Sequence, residues 1–415
     1  METGSLRISD IRPDFIYMME QAVKAPSGHN TQPWLFRVQK DRIQILPDMS
    51  KSLPAVDPDN RELFISLGCA TENLCIAAEA KGYAPLPVFS GSGEITVLLS
   101  EASMIKETSG LIEEISVRQT NRGIYSGEMI PSDQLSYLRN TPLEENISLH
   151  LWSKGEWEFD TLSSYIFAGN NRQMNDHLFK RELKSWMRFN KNHVRATSDG
   201  LSYAVFGAPN LPRLISETIM GSVLKAGIQN RGDKKKLDSS SHLALFALRT
   251  NTLPEWFALG RSLQRFLLRA TEKNIAFAFL NQPCEVRDLS GLLAKDLSFT
   301  NEIPALILRL GYAKRKMPYS PRKSWRERLV PYWLSQIASA LVHASLHGIC
   351  QDETVCLKVF VEVLGDTGHG GSVGKSFLAA KDNPHRVVRF YIPENDQEVI
   401  PVVEFDITGF SAFLG

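Results

Sequence analysis

An alternation of buried strands with a long one-sided helix constrains the fold of this chain more than any other feature. Residues 243–248 and 303–310 are mostly apolar runs, and the second ends at Gly311. Between them, residues 254–273 place apolar side chains on one helical face, and residues 275–280 form a third apolar run. This order of strand, helix and strand predicts layers of helix and sheet rather than a helix bundle.

The earlier part of the chain alternates in the same way. Apolar spacing predicts a helix at 12–24, a hairpin at 34–46, a helix from Asp57 to Gly82 and a second hairpin at 88–99. Further helices are expected at 104–115, from Pro131, at 157–189 and at 211–226. The charged run 230–236 is interpreted as a solvated turn, with a mobile lid as the alternative.

The end of the chain has a different character. An apolar helix is predicted at 333–346, and residues 355–364, 386–392 and 399–405 have strand-like patterns around a glycine-rich stretch. These strands would form a small β-rich appendage or add to the main sheet. The stretch 368–376 is similar to a phosphate-binding loop, but His369 stands where that motif requires glycine, so a glycine-rich turn is favoured.

Composition excludes several classes of protein. The 47 basic and 46 acidic residues nearly cancel, which argues against a nucleic-acid partner. No apolar run approaches the roughly 18–20 residues that cross a bilayer, and the polar start lacks the order of a signal peptide. The five cysteines match neither a disulfide framework nor a zinc site, so no metal is expected and a cytoplasmic location is predicted.

The loop at residues 25–34 collects groups that a polar, planar ligand needs. Pro26, Ser27, Gly28, Asn30 and Gln32 supply turn geometry, a hydroxyl, amides and backbone N–H groups, and an aromatic residue follows at position 34. The alternative is an ordinary connection between helix and strand. His29 within this loop is a candidate proton donor or, alternatively, a structural hydrogen-bonding residue.

A second group of residues suits a phosphate. Arg118, Thr120 and Arg122 are spaced two apart, and Arg309 and Arg322 come later in the chain. Guanidinium groups bind phosphate through paired hydrogen bonds, and a hydroxyl adds a neutral donor. Each arginine alone would more simply be a surface charge.

These two motifs resemble a known family. The string Pro-Ser-x-x-Asn-x-Gln-Pro-Trp resembles the signature of the FMN-dependent nitroreductase superfamily, and Arg-x-Thr-x-Arg is similar to that family's Arg-x-Ser-x-Arg phosphate motif. The resemblance covers roughly residues 10–330. It implies an α+β fold, a nitroreductase-like three-layer α/β/α arrangement with a mostly antiparallel sheet.

The order of the motifs implies a fused pseudo-dimer. Ordinary members form the site from two identical protomers, and here the loop precedes the phosphate motif in one chain. Two tandem halves are therefore expected at 1–115 and 116–330, the second with a lid-like insertion at 172–238, followed by the extension 331–415.

The resemblance also implies roles for individual residues. From the first half, Pro26, Ser27, Gly28, Asn30 and Gln32 would line the flavin. Arg118, Thr120 and Arg122 would hold the phosphate and ribityl chain, with Arg322 preferred to Arg309, Arg315 or Arg326 as the late phosphate ligand. Leu280 and Asn281 are expected to offer a backbone N–H to flavin N5, and no catalytic side chain is assigned.

The implied activity is hydride transfer from NAD(P)H through FMN to a nitroaromatic, a quinone or another small planar acceptor. One alternative is a protein that binds and sequesters FMN beneath a lid. Another is a flavin domain whose C-terminal extension binds a protein partner. Trp186, Tyr203, Phe206 and Trp256 could form an aromatic wall for the acceptor or belong to the core.

Overall fold

The computed structural model describes residues 8–102 and 110–330, and four short strands beyond them. Its larger compact unit comprises Asp10–Leu329. The predicted helix at 333–346, the predicted strand at 355–364 and the glycine-rich stretch 368–376 lie outside the described residues.

The first half contains one antiparallel sheet and two helices. In chain order they are α1 Pro13–Ala22, β1 Trp34–Val38, β2 Arg42–Pro47, α2 Arg61–Ala80, β3 Tyr83–Phe89 and β4 Ile95–Glu101. The strands are arranged β1-β2-β4-β3, so both predicted hairpins are confirmed. Helix α2 starts later than predicted, because Asn60 adopts a left-handed conformation while Asp57 accepts a hydrogen bond from the Leu63 N–H at 3.0 Å.

The second half has a similar sheet with a long insertion. Its elements are α3 Ile112–Val117, α4 Ser132–Arg139, β5 Ile147–Ser153, α5 Trp157–Asn175, α6 His177–Trp186, β6 Met187–Arg188, α7 Lys191–Thr197, β7 Leu201–Ser202, α8 Arg213–Val223, α9 Ala226–Asp238, β8 His242–Leu248, α10 Leu253–Glu272, β9 Ala276–Phe279, α11 Gln282–Glu285, α12 Arg287–Asp296 and β10 Ile303–Gly311. The main strands are antiparallel in the order β5-β8-β10-β9. Strand β5 was not predicted, whereas β8, β9 and β10 were.

The predicted solvated turn at 230–236 is wrong, because this segment lies within helix α9. Asp233 is buried at 3% exposure, and its carboxylate accepts hydrogen bonds from Asn170 Nδ2 and Lys236 Nζ, both at 2.9 Å. One face of α9 therefore packs against α5, while the lysines that suggested a turn occupy the solvent side.

The two long helices, one from each half, cross at a pair of glycines. A Cβ atom at Gly68 of α2 would lie 2.3 Å from the Phe257 carbonyl oxygen, and one at Gly260 of α10 would lie 2.1 Å from the Ile65 carbonyl oxygen. Such distances leave no room for a side chain, so glycine permits this close approach. The crossing is reinforced by a hydrogen bond of 2.7 Å from Gln264 to Asn73.

Helix α2 is long and apolar enough to cross a membrane by length and composition, and it is the one such helix among the described residues. However, 89% of its apolar window is buried inside the protein. In this structure it is therefore a central helix of the core.

The C-terminal part contributes two described strand pairs. Strands β11 Val387–Phe390 and β14 Val403–Asp406 pair antiparallel, as do β12 Pro393–Glu394 and β13 Glu398–Val399. Strand structure near 386–392 and 399–405 agrees with the sequence prediction.

Candidate functional site

The loop after α1 has a strained backbone. His29, Asn30 and Gln32 have φ angles of 48°, 58° and 56°, which lie in the left-handed region that side-chain-bearing residues rarely adopt. Such strain persists where the surroundings fix it, and it is common at ligand sites. Within the loop, Ser27 Oγ accepts a hydrogen bond from the Gln32 N–H at 3.0 Å.

Two amides fasten this loop to the second half of the chain. Asn30 Nδ2 donates to the carbonyl oxygens of Gly200 and Pro321, both at 3.1 Å, and Asn30 Oδ1 accepts from Arg322 Nη1 at 2.6 Å. Gln32 Nε2 donates to the Ser198 carbonyl at 2.9 Å, and its Oε1 accepts from the Lys323 N–H at 2.8 Å. The loop is thereby connected to the insertion and to the segment after β10.

The Arg-x-Thr-x-Arg segment runs alongside strand β9. Thr120 forms an isolated parallel bridge with Phe277, and the Asn121 N–H donates to the Phe277 carbonyl at 2.9 Å. In such extended backbone, side chains two apart share a face. Arg118, Thr120 and Arg122 accordingly all line one cavity, while the Asn121 side chain turns away to donate to the Arg315 carbonyl.

This basic cavity has a volume of about 290 Å³ and an uncompensated positive charge. Four cationic side chains line it, and no Asp or Glu lies among its described lining residues. The four are Lys24, Arg118, Arg122 and Arg322. The polar lining is completed by the amides of Asn30 and Gln119 and by the hydroxyl groups of Ser27, Ser116, Thr120, Tyr319 and Ser320.

Several N–H groups of these arginines have no protein partner. The Nε atoms of Arg118 and Arg322 are buried without a hydrogen bond among the described residues. Arg122 makes no hydrogen bond or ion pair to a described residue, and its guanidinium carbon lies 5.5 Å from the centre of the Phe206 ring. Arg118 is only 5% exposed and donates once, to the Lys24 carbonyl at 2.9 Å.

Burial lowers the pKa of all three guanidinium groups. The pKa falls to about 10 for Arg118 and Arg122 and to about 9 for Arg322, where the neighbouring Arg118 charge adds to the effect of burial. The groups therefore stay protonated at neutral pH. Buried cations without counterions are costly, and an anion with several acceptor oxygens would compensate them.

A second, adjoining cavity of about 260 Å³ shares Pro26, Ser27, Arg122, Leu201 and Phe279 with the basic cavity. One face of α2 lines it through Glu62, Ile65, Ser66 and Cys69, at the i, i+3, i+4 and i+7 spacing of a helix. Apolar walls come from Leu263 of α10, from Leu306 of β10 and from Leu183, Leu201 and Phe206 of the insertion. The adjoining cavity suits a flat, largely apolar group.

No family model matches the chain, but curated relatives do. Proteins from two Mycobacterium tuberculosis strains, CDC 1551 / Oshkosh and H37Rv, each named "Putative NAD(P)H nitroreductase", are 23% identical over 327 residues, covering 74% of this chain and 90% of theirs. The chain is thus similar to these nitroreductases over about three quarters of its length. The predicted α+β class with antiparallel sheets, one in each half, is confirmed.

Solved structures of nitroreductases also match this nitroreductase-like chain over about half its length. The FMN-dependent nitroreductase of Mycobacterium smegmatis in complex with NADPH covers 50% of this chain and 90% of its own, with 13% identity and a TM-score of 0.33. A nitroreductase with bound FMN from Bacteroides fragilis covers 52% and 95%, with 15% identity and a TM-score of 0.31.

Most residues predicted for the site of this nitroreductase-like protein line the two cavities. Pro26, Ser27, Asn30, Arg118, Thr120, Arg122 and Arg322 line the basic cavity, and Gly28 and Asn281 line the adjoining one. Gln32 is fully buried and lines neither, because both ends of its amide bind protein backbone. Leu280 is buried, and its N–H donates to the Ile307 carbonyl at 2.8 Å, so that N–H is not available to a ligand.

Unlike Arg118, Arg122 and Arg322, Arg309 does not line the basic cavity. It is fully buried in β10, where Nη2 donates to the carbonyl oxygens of Asn121 at 3.1 Å and Gly123 at 2.7 Å. Its guanidinium lies 3.9 Å from the centre of the Tyr125 ring. Arg309 therefore supports the backbone of the Arg-x-Thr-x-Arg segment from behind.

His29 lines the adjoining cavity as a neutral imidazole. Burial, with a smaller contribution from the Arg122 charge, lowers its pKa to about 4. Its Nε2 is buried without a hydrogen-bond partner among the described residues. Of the four aromatic side chains considered for a wall, Phe206 alone lines a cavity, while Trp256 packs in the core.

Sequence reasoning missed several polar residues that line the cavities, among them Lys24, Glu62, Gln173 and Glu285. Glu62 carried a usable signal, since it lies on an apolar helical face with Ile65 and Cys69. Glu285 and Gln173 carried none, because α11 and α5 come near Glu62 only through the tertiary fold. No cluster of His, Cys, Asp or Glu within the described residues could hold a metal ion.

Proposed function

We propose that this nitroreductase-like protein is an FMN-dependent NAD(P)H oxidoreductase. The observation that carries the proposal is the basic cavity, which has four cations and no described carboxylate and opens beside an apolar-walled cavity. A phosphate ester joined to a planar ring system fits this pair of cavities. The unpartnered N–H groups of Arg118 and Arg322 are the donors that such a phosphate would satisfy.

The residues divide into two groups in this proposal. Arg118, Arg122 and Arg322 hold the phosphate, with Thr120 as a neutral donor. Pro26, Ser27, Gly28 and Asn30 bound the rest of the cofactor from the strained loop. Asn281, rather than Leu280, is proposed to offer a backbone N–H to the ring. Asn281 lines the adjoining cavity, whereas the Leu280 N–H is already hydrogen-bonded.

When bound, a flavin would supply two-electron chemistry between NAD(P)H and an acceptor. The chain contributes position and environment. Leu201, Phe206 and Leu263 exclude water from the adjoining cavity, where a small planar acceptor such as a nitroaromatic or a quinone would stack. NAD(P)H, which the names of the M. tuberculosis relatives specify, is the proposed donor.

The site is proposed to occur once per chain. The loop at 25–34 belongs to the half at 1–115, and the phosphate motif belongs to the half at 116–330. Each half also supplies one antiparallel sheet and one long helix to the same compact unit. These features support a fused pseudo-dimer, with residues 331–415 as an extension that could bind a protein partner.

One observation favours a second candidate, a protein that sequesters FMN. Leu183, Leu201 and Phe206 of the insertion line the adjoining cavity, and Ser198 and Gly200 are hydrogen-bonded to the strained loop. The insertion at 172–238 thus covers the place where a nicotinamide would stack. Hydride transfer requires that stacking at about 3–3.5 Å.

An anaerobic absorption experiment separates the two candidates. Purified protein loaded with FMN is mixed with NADPH, then with NADH, and the flavin band is followed. Bleaching by either nucleotide supports the oxidoreductase. A flavin that bleaches only with dithionite supports sequestration, and failure to bind FMN contradicts both.

A further inference from the structure

Two carboxyl groups line the adjoining cavity, and neither has a role in the function proposed above. Glu62 comes from α2 in the first half and Glu285 from α11 in the second. Burial raises the pKa of both carboxyl groups, and the Glu285 charge raises the pKa of Glu62 further. Two like charges in one cavity disfavour ionisation of both, so the pair favours keeping a proton.

The surroundings donate hydrogen bonds to the pair without neutralising it. Glu62 Oε1 accepts from Asn281 Nδ2 at 3.2 Å, and Glu285 Oε2 accepts from Gln173 Nε2. No salt bridge to either glutamate occurs among the described residues. A Cβ atom at Gly28 would lie 3.1 Å from Glu62 Oε2, so this carboxyl group faces the strained loop directly.

Burial is the largest cause that raises the pKa of both carboxyl groups. For Glu62 the Glu285 and Asp57 charges raise the pKa further, while the Arg61 charge and the hydrogen bond from Asn281 lower it. For Glu285 the hydrogen bond from Gln173 and the Arg61 charge lower the pKa, and the Asp57 charge raises it. Arg61 is partly engaged elsewhere, since its Nη2 donates to the Cys284 carbonyl at 2.7 Å. The same cavity is also lined by the neutral imidazole of His29, the thiol of Cys69 and the cation of Arg122.

We propose that the Glu62–Glu285 pair donates the proton that completes reduction of an acceptor bound in the adjoining cavity. The inference rests on the proposed function, which supplies the hydride. A quinone that receives a hydride from NAD(P)H by way of the cofactor gains two electrons and one proton, and needs one further proton to become the hydroquinone. A nitro group that receives a hydride likewise needs one proton to give a nitroso group and water.

The proton balance is simple. One carboxyl O–H bond of the pair breaks, an O–H bond forms on the acceptor oxygen, and the pair gains one negative charge. That charge is unfavourable in the cavity, so the pair recovers a proton from solvent before the next turnover. General-acid catalysis of this kind contributes about 10²- to 10⁴-fold to a rate.

The variants Glu62→Gln and Glu285→Gln test the role, because glutamine keeps the shape and the hydrogen bonds but has no proton to give. The FMN-loaded protein is reduced anaerobically with NADPH and then mixed in a stopped-flow instrument with either benzoquinone or ferricyanide. Ferricyanide takes one electron at a time and needs no proton. Glu113→Gln, at an exposed glutamate of α3, is the matched control.

We expect the variants to slow the reaction with benzoquinone and not the reactions with ferricyanide or NADPH. Glu62→Gln should slow benzoquinone reduction by about 10²-fold or more. The rate of flavin bleaching by NADPH and the rate of ferricyanide reduction should stay within about twofold of the wild-type values. In the wild-type protein the benzoquinone rate should fall at alkaline pH as the pair ionises, and this decline should be absent in the variant. Glu285→Gln gives a second test if Glu62→Gln folds poorly.

A readout that needs no cofactor accompanies the kinetics. The infrared spectrum of the flavin-free protein at neutral pH should contain the C=O stretching band of a protonated carboxyl, and that band should be lost or shifted in each variant but not in Glu113→Gln. An unchanged benzoquinone rate in a protein whose flavin bleaches normally overturns the proton-donor role alone. Equal slowing with ferricyanide also overturns it, whereas a protein without flavin overturns the proposed function as well.

Discussion

At the scale of single residues, the site is defined by charges that the protein leaves unpaired. Arg118, Arg122 and Arg322 lie in one cavity with no described carboxylate, although burial lowers the pKa of each. A protein interior rarely keeps such groups without a counterion. The strained φ angles at His29 and Asn30 occur in residues that line the two cavities, and strain of this kind tends to collect at ligand sites.

Replacing Arg122 should weaken FMN binding without lowering the unfolding temperature of the flavin-free protein. Arg122→Gln removes a charged hydrogen-bond donor, which is worth about 1.5–3 kcal/mol, so FMN should bind roughly 10- to 150-fold more weakly by fluorescence titration. The flavin-free variant should unfold at the same or a higher temperature, because a half-buried cation without a counterion among the described residues is gone. Arg326→Gln, at an exposed position, is the control and should change neither quantity.

Replacing His29 should remove part of the sensitivity to acid. Its folded pKa of about 4 lies below its ordinary 6.5, so the stability it contributes is fully present above pH 6.5 and is lost as the pH falls toward 4. His29→Asn keeps a residue that tolerates left-handed backbone. Urea unfolding at pH 7.5, 6 and 4.5 should show a shallower loss for the variant, and parallel curves would contradict the assignment of a neutral buried imidazole.

At the scale of elements, the crossing of α2 and α10 positions the site. Gly68 and Gly260 let the two helices approach closely, and the same helices present Ile65, Ser66 and Leu263 to the adjoining cavity. Any separation of the helices would therefore widen the cavity. The helical periodicity that predicted both elements could not reveal that they touch, because contact depends on residues nearly two hundred positions apart.

Alanine at these glycines should destabilise the protein, while alanine elsewhere should not. Gly68→Ala or Gly260→Ala forces backbone atoms apart and should lower the free energy of unfolding by about 1–3 kcal/mol or more. Gly232→Ala in α9, where no atom lies within 4 Å of the new Cβ, should raise it by up to about 1 kcal/mol through helix propensity. Urea unfolding measures all three, and a destabilised Gly232→Ala would argue against helix at 230–236.

At the scale of the whole molecule, the sequence predicted those elements and motifs that depend on neighbouring residues in the chain. The loop at 25–34, the Arg-x-Thr-x-Arg motif and most helices and strands were predicted because turn residues and apolar periods are local. The sequence prediction was wrong at 230–236, because Asp233 is buried against helix α5, which lies well before it in the chain. It also failed for Arg309 and Leu280, whose residue types suit a ligand but whose hydrogen bonds are taken up by neighbouring backbone.

The Glu62–Glu285 pair illustrates the remaining limit of sequence reasoning. Each glutamate alone is an ordinary helix residue, and the pair exists only because α11 of the second half folds against α2 of the first. In the proposed function the site as a whole would likewise lie between the halves, since the loop comes from one and the phosphate motif from the other. A single chain would then provide what two protomers otherwise share.

The measurement that tests this account most directly is an anaerobic titration of the FMN-loaded protein with NADPH. We expect one FMN per chain, bound more weakly by Arg122→Gln than by the wild-type protein, and complete bleaching of the flavin band with one equivalent of nucleotide. Two flavins per chain would contradict the fused single site. A protein that binds no FMN, or whose bound FMN stays oxidised with both NADPH and NADH, would contradict the proposed oxidoreductase.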